Sequence, residues 1–207
     1  MTSTIQVYVH SITLVAAGVL SSDLRPGAGR PLPAFSAGAH IDVHLPGSTV
    51  RSYSLLNSQD ARHRYVIAVQ REEKGRGGSR AMHELRVGQQ VAIAGPRNNF
   101  GLAESASHSV LVAGGIGITP LWSMVQRLQA LGRSWELYYC VRTRAQAALL
   151  EQIEALPPAA RARVHLHFDH EPGGRMLDLT RLESAHHAGT HFYRGGPTGM
   201  LDALQRA

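Results

Sequence analysis

Cysteine, aromatic residues and long apolar runs are all scarce in this chain. Cys140 is the single cysteine among 207 residues. One thiol excludes an internal disulfide framework and any iron–sulfur cluster held by several cysteines of this chain. No apolar stretch approaches the ~18 residues of a membrane span, and Met1 to Ser11 carry no charged-then-apolar leader. The expected location is therefore the cytoplasm, with no membrane partner. Aromatics make up 6% of the residues, and the basic residues are scattered with no aromatic-rich stripe, which argues against a nucleic-acid partner. The net charge of +6 comes from 21 Lys+Arg against 15 Asp+Glu, with Arg far more frequent than Lys. Such a balance suits an anionic small ligand or an acidic protein partner.

What remains is an ordinary globular composition, 43% hydrophobic and 17% charged, on a chain long enough for two modest domains. From Ile5 to about Gly95 short alternating or apolar runs follow one another: IQVYVHSITLVA, HIDVHL, VRSYSLL, RYVIAVQ and QVAIAG. Turn formers separate them, as at Pro46-Gly47, so this half predicts a small antiparallel barrel or sandwich. Its one expected helix covers Ala81 to Arg86. After Phe100 the rhythm becomes strand, helix, strand, helix. Strands are predicted at Ser109–Ala113, Trp135–Val141, Val164–Phe168 and His191–Tyr193. Helices are predicted from Leu121 to Gly132, from Ala145 to Leu156, and from Pro197 onward. Such alternation implies a parallel α/β sheet with crossover helices and a binding crevice at the carboxyl ends of its strands. The expected domains are residues 1–100 and 101–207, joined by the polar connection Asn98 to His108.

Three segments carry chemistry. Arg51-Ser-Tyr-Ser54 sets a cation, a flat ring and two hydroxyls on a strand, with Arg51 and Tyr53 on one face and Ser52 and Ser54 on the other. By itself it also reads as an edge strand with a surface arginine. Gly77-Gly78-Ser79-Arg80 offers successive backbone N–H groups at a helix start, with Ser79 as cap or ligand, and alone it also reads as a hairpin tip. The third segment, AGGIGITPLW, follows a strand and opens a helix. Gly115 and Gly117 fit the first two glycines of a dinucleotide fingerprint, but Pro120 stands at the third position. Glycine lets backbone approach a pyrophosphate closely, Thr119 can cap the helix, and Pro120 is tolerated in its first turn.

The segments AGAHIDVHLP, RSYSLLN, RYVIAVQREEKGRGGSRAMHELRVGQQVAIAGPRNNF and LVAGGIGITPLWSM, in this order and spacing, resemble the reductase components of Rieske-type oxygenases. The subgroup is that of phthalate dioxygenase reductase and vanillate demethylase reductase, in the ferredoxin-NADP reductase superfamily. The resemblance implies a flavin-binding barrel followed by a nicotinamide-nucleotide domain, with FMN preferred to FAD and NADH to NADPH. Carried over to this chain, Arg51 matches the arginine near the flavin phosphate and Tyr53 the tyrosine against the isoalloxazine, with Ser52 beside them. Ser54 matches the hydroxyl that hydrogen-bonds flavin N5, Ala68 and Val69 match backbone contacts to the ring edge, and Gly77, Gly78 and Ser79 match the phosphate loop. Gly114, Gly115 and Gly117 match the nucleotide loop, and Thr119 lies where nicotinamide enters. Ser54 and Thr119 are thus the catalytic candidates. Arg142 reads either as a solvated loop residue or as a contact to the adenosine ribose.

Two departures accompany the resemblance. The family's distal motif has a cysteine before Gly-Pro; here Gly196 and Pro197 match, but Gly195 stands where the thiol would be. Relatives continue into a plant-type iron–sulfur domain, whereas this sequence stops at Ala207; either it is a fragment of a longer chain, or the expected acceptor is a separate ferredoxin-type protein or Rieske oxygenase. The alternatives are a stand-alone flavin or dye reductase, or a binding module without turnover. The twelve histidines include His186-His187 and His165-x-His167. They lack a third ligand nearby in sequence and are assigned surface or structural roles, with no metal site expected. Cys140 is expected to be a buried small hydrophobe.

Overall fold

A computed structural model describes residues 4–27, 30–187 and 189–196. The first half is a six-stranded antiparallel sheet made of β1 (Thr4–Ala16), β2 (Val19–Pro26), β3 (His40–Leu45), β4 (Thr49–Ser54), β5 (Tyr65–Gln70) and β6 (Gln90–Arg97). Its spatial order is β4-β3-β6-β1-β2-β5. Alternation drives the curl: Val7, Val9, Ile41, Val43, Ile67 and Ile93 all point to one interior and are essentially inaccessible. Wrapping around that interior brings the two edge strands together, and the Leu56 N–H donates to the Val66 carbonyl at 2.9 Å. The Asn57 side chain seals the same seam, accepting from Val66 N and donating to Arg64 O.

The second half is a four-stranded parallel sheet, ordered β10-β7-β8-β9. β7 (His108–Gly114) is central, and its Ser109–Gly114 run is wholly buried, as expected of a strand covered on both faces. β8 (Trp135–Val141) alternates instead: Trp135, Leu137, Tyr139 and Val141 face the main core, while Glu136, Tyr138 and Cys140 are half-buried on the other face. β9 (Val164–Phe168) and β10 (Thr190–Gly195) complete the sheet. The helix α2 (Ile118–Ala130) buries Ile118, Leu121, Trp122, Met124, Val125 and Leu128, and it is stopped by Gly132 at φ +64°.

Several elements differ from the sequence reading. The first-half helix, α1, covers Gly78–His83 and not Ala81–Arg86, because Gly77 at φ 84° turns the chain into it earlier. The helix expected over Ala145–Leu156 is broken: a 3₁₀ turn at Arg144–Gln146 leads to Leu149 at φ 63°, then to α3 (Leu150–Glu154). Ala147, Ala148 and Leu149 are buried there, so tertiary packing overrides helical propensity. After α4 (Pro158–Arg161), the loop following β9 holds α5 (Leu179–Ser184), capped by Asp178, which the sequence reading did not anticipate. The helix expected from Pro197 lies outside the described residues.

The two halves share one core. Val19, Ala37, Leu56 and Ala68 pack into the cluster built around α2 and β7. Gly38 N–H donates to Ser123 Oγ at 3.0 Å, Gln126 Nε2 donates to Leu56 O at 2.7 Å, and Ala17 N–H donates to Ala145 O at 2.8 Å.

Candidate cofactor site

The seam between β4 and β5 gathers the first-half candidates. Arg51 and Tyr53 lie on the α1 side of β4. The Arg51 side chain crosses directly over Gly78, where an added methyl would come within 2.7 Å of Nε and 2.8 Å of Cγ. Glycine at 78 is therefore what lets the guanidinium reach the Gly77-Gly78 turn. Tyr53 is half-buried against the barrel core, and that burial raises its pKa despite the neighbouring Arg51 charge. Ser79 does not cap α1; its hydroxyl oxygen accepts the Glu72 N–H at 3.0 Å, tying the chain after β5 to the helix. Ala68 and Val69 bury their side chains, so only their backbone can meet a ligand. The Val69 carbonyl accepts from His83 Nε2 at 2.8 Å.

On the other face of β4, Ser52 and Ser54 line a cavity of about 270 Å³ with His40, Phe100 and, from the second half, Pro120. Ser52 donates to Asp42 Oδ1 at 2.6 Å. Asp42 also accepts from Arg97 at 2.6 Å. Thr119, next to Pro120, is outside this lining. Its hydroxyl donates to Ile116 O at 3.1 Å and makes no helix cap.

The second half opens a larger cleft of about 870 Å³ at the carboxyl ends of β7, β8 and β9, lined by Gly114, Gly115 and Arg142 among others. Gly115 has φ +52° and open space where a Cβ would stand, so its backbone is bare toward the cleft. Gly117 plays a different part. An added Cβ there would collide with the backbone of Gly195 and Gly196, and one at Gly195 would meet Gly117 O at 2.5 Å. The turn after β7 and the end of β10 thus touch backbone to backbone. A cysteine at 195, the residue that the resemblance leads one to expect there, would bring its Cβ within 2.5 Å of Gly117 O in this packing. Pro197 lies outside the described residues.

Among the lining residues not expected at the site are His167, Asp169 and Arg175, together with Cys140, which was expected in the core. Asp169 immediately follows β9, at the strand end where such sheets bind ligands, and that position was a usable signal. Its Oδ1 is buried with no partner among the described residues, an acceptor suited to a ligand hydroxyl. Arg175 sits in an irregular loop with no periodic signal. Cys140 is partly buried and faces this cleft, not the core. Burial, then the nearby Asp169 charge, pushes its thiol up to about 12. Taken together, the glycine-bared backbone, the Arg51 side chain over Gly78 and the orphaned Asp169 oxygen fit a phosphate-bearing planar ligand in the first half and a nucleotide in the second.

Comparison with known proteins accords with that geometry. Residues 31–101 match the oxidoreductase FAD-binding domain family and residues 111–206 the oxidoreductase NAD-binding domain family. A tetrachlorobenzoquinone reductase from Sphingobium chlorophenolicum is 50% identical over 206 residues, covering 99% of this chain and 64% of that protein. A vanillate O-demethylase oxidoreductase from Pseudomonas sp. is 43% identical over 198 residues, covering 95% of this chain and 62% of the relative. The solved structure of phthalate dioxygenase reductase, described as modular for electron transfer from pyridine nucleotides to [2Fe-2S], superposes with a TM-score of 0.92 at 35% identity. It covers 99% of this chain and 64% of its own. The chain therefore spans under two thirds of the length of these relatives. The two adjacent domain matches and the antiparallel-then-parallel architecture show an oxidoreductase FAD-binding-type domain followed by an oxidoreductase NAD-binding-type domain, similar over nearly the whole chain to the corresponding part of these reductases.

Proposed function

We propose that this chain is the flavin and nicotinamide part of an NAD(P)H-dependent reductase that delivers electrons to an iron–sulfur acceptor serving an aromatic-ring oxygenase or demethylase. The observation that carries the reading is the cavity between the halves, where Ser54 of β4 and Pro120 of the nucleotide turn share one lining. A donor bound at the turn and an acceptor bound at β4 would meet there. A bound flavin supplies the chemistry, since it accepts two electrons from a nicotinamide and releases them singly.

The chain's own residues bind and orient. Arg51, crossing Gly78, neutralises a flavin phosphate at the Gly77-Gly78-Ser79 turn, and Tyr53 lies along the ring. Ser54 presents a hydroxyl to the ring's reacting edge. Ala68 and Val69 contribute backbone polar groups along the ring. Gly114 and Gly115 admit the nucleotide pyrophosphate to the backbone, Arg142 and Asp169 reach its sugar, and Thr119 sets the turn that aims the nicotinamide. The two halves pack through α2, whose Ser123 and Gln126 bond Gly38 and Leu56 of the first half. The preferred flavin is FMN and the preferred donor NADH, on the likeness to phthalate dioxygenase reductase in sequence and fold. Chromatography of the released flavin tests the first preference and steady-state comparison of the two nucleotides the second.

Ser54→Ala tests the site. One hydrogen bond of roughly 1–1.5 kcal/mol corresponds to about tenfold in rate, so stopped-flow flavin reduction by NADH is expected to slow by about that factor with flavin still bound. An unchanged rate removes Ser54 from the reacting site.

A further inference from the structure

The nucleotide cleft occupies the carboxyl end of the parallel sheet, and a second cluster of side chains occupies the amino end. His108 opens β7, Glu136 is the second residue of β8, and His186 follows α5. Their ligand atoms all lie within 4.8 Å of one another. Because β7 runs from His108 to Gly114, the cluster is about 20 Å from the glycine turn at ~3.3 Å per residue. Nothing in the proposed electron path touches it.

The groups are oriented as ligands are. His186 Nδ1 is 2.7 Å from the Leu182 carbonyl and His108 Nδ1 is 2.8 Å from Ser134 Oγ. A carbonyl only accepts, so in neutral His186 the proton sits on Nδ1 and the Nε2 lone pair is left free. That nitrogen faces Glu136 Oε2 at 3.7 Å. The same oxygen already accepts from Tyr138 at 2.7 Å. A proton or a metal ion between these two facing acceptors would satisfy both. Outer hydrogen bonds that fix both imidazoles and the carboxylate are the usual support of a metal centre. The His108 and His186 rings stack at 5.5 Å with 11° between their planes. His165 Nε2 lies 3.9 Å from Glu136 Oε2 but outside the three-residue cluster. The site is sheltered yet reachable, with the side chains of His186 14% and Glu136 33% exposed.

The geometry points to a transition-metal site held by His108, Glu136 and His186. Two imidazoles and one carboxylate suit a borderline ion of the Zn(II), Co(II) or Ni(II) class, and suit poorly the all-oxygen preferences of Ca(II) or Mg(II). Its effect is structural: the ion pins the end of α5, whose Leu182 covers Val110 and Val112, to the starts of β7 and β8. The sequence separates these ligands widely, which is why His186-His187 and His165-x-His167 read as surface residues before folding supplied partners.

The test uses tag-free protein titrated with Co(II), followed by its visible ligand-field bands, and with Zn(II), followed by competition with a chromogenic chelator. One ion per chain is expected. Glu136→Gln keeps the side-chain shape, and it and His186→Ala should each weaken binding at least tenfold, about what outer-shell changes alone produce. His44→Ala and His191→Ala, exposed and outside the cluster, should leave binding unchanged. Zn(II) at 100 times its dissociation constant should raise the Tm by about 5–10 °C, and by much less in Glu136→Gln at the same concentration. Absence of stoichiometric binding, or binding indifferent to Glu136→Gln, overturns the proposal.

Discussion

The two glycine turns look alike in sequence and are built on different physics. At Gly78 the missing Cβ makes room for a side chain, the flexible stem of Arg51. At Gly117 it makes room for backbone, the end of β10 at Gly195 and Gly196. Both halves carry arginine–carboxylate contacts, Arg25 and Arg64 on Asp23 and Arg97 on Asp42 in the first, Arg127 on Glu104 and Arg144 on Glu154 in the second. The Gly117–Gly195 joint itself is a steric contact of backbone on backbone. Glycine in a loop after a strand therefore carries two separate meanings, and only the neighbours reveal which applies.

The sharpest way to break this comparison is to fill the joint. Gly117→Ala and Gly195→Cys should each destabilise the protein by about 2–4 kcal/mol, because backbone cannot move aside as a side chain can. Urea unfolding measures the loss. A Gly195→Cys variant as stable as its parent would show that the family's thiol fits after all. Gly78→Ala should cost less than about 1 kcal/mol, since the Arg51 stem can shift, but the displaced guanidinium should weaken flavin binding several-fold in a fluorescence titration. Equal losses of stability at 78 and 117 would erase the distinction.

Acid should separate the halves. Burial alone would raise the Asp23 carboxyl, but hydrogen bonds from Arg25 and Arg64 outweigh it and hold its pKa below the ordinary carboxylate value. A depressed folded-state pKa means stability that is present above about pH 4 and lost as pH falls through the folded value. Hydrogen exchange at β2 and β5 should accelerate below pH 4 before exchange at β7 and β8 does, and Asp23→Asn should abolish the difference. The smallest effect concerns Cys140. With its thiol pushed up to about 12, it stays protonated at pH 8, and its alkylation by iodoacetamide should run some 100- to 1000-fold slower than that of an ordinary exposed thiol.

Much of the fold was legible because periodicity is a local property. β8 alternates residue by residue and formed where expected, and α2, whose apolar positions repeat every three or four, begins three residues earlier, at Ile118. The broken segment at Ala147–Leu149 was not legible, since its burial against the shared core is decided by residues far away in sequence. For the candidate site, too, only what motifs carry was legible. Arg51, Ser54, Gly114 and Gly115 sit in motifs, and the structure sets each beside a cavity or a turn that can use it. Thr119 lies outside both linings, its hydroxyl turned back to Ile116. Asp169, at the end of a predicted strand, was legible in principle, whereas Cys140 gained its place in the cleft through the packing of the parallel strands. His108, Glu136 and His186 come together only where three segments meet.

An absorption spectrum of the purified protein from 300 to 700 nm, repeated anaerobically after adding NADH, tests the central reading most directly. Flavin bands that bleach on NADH addition are the predicted result, with the released chromophore identified as FMN. A protein that stays colourless after incubation with FMN and FAD, or whose flavin bands persist with both NADH and NADPH, would contradict it.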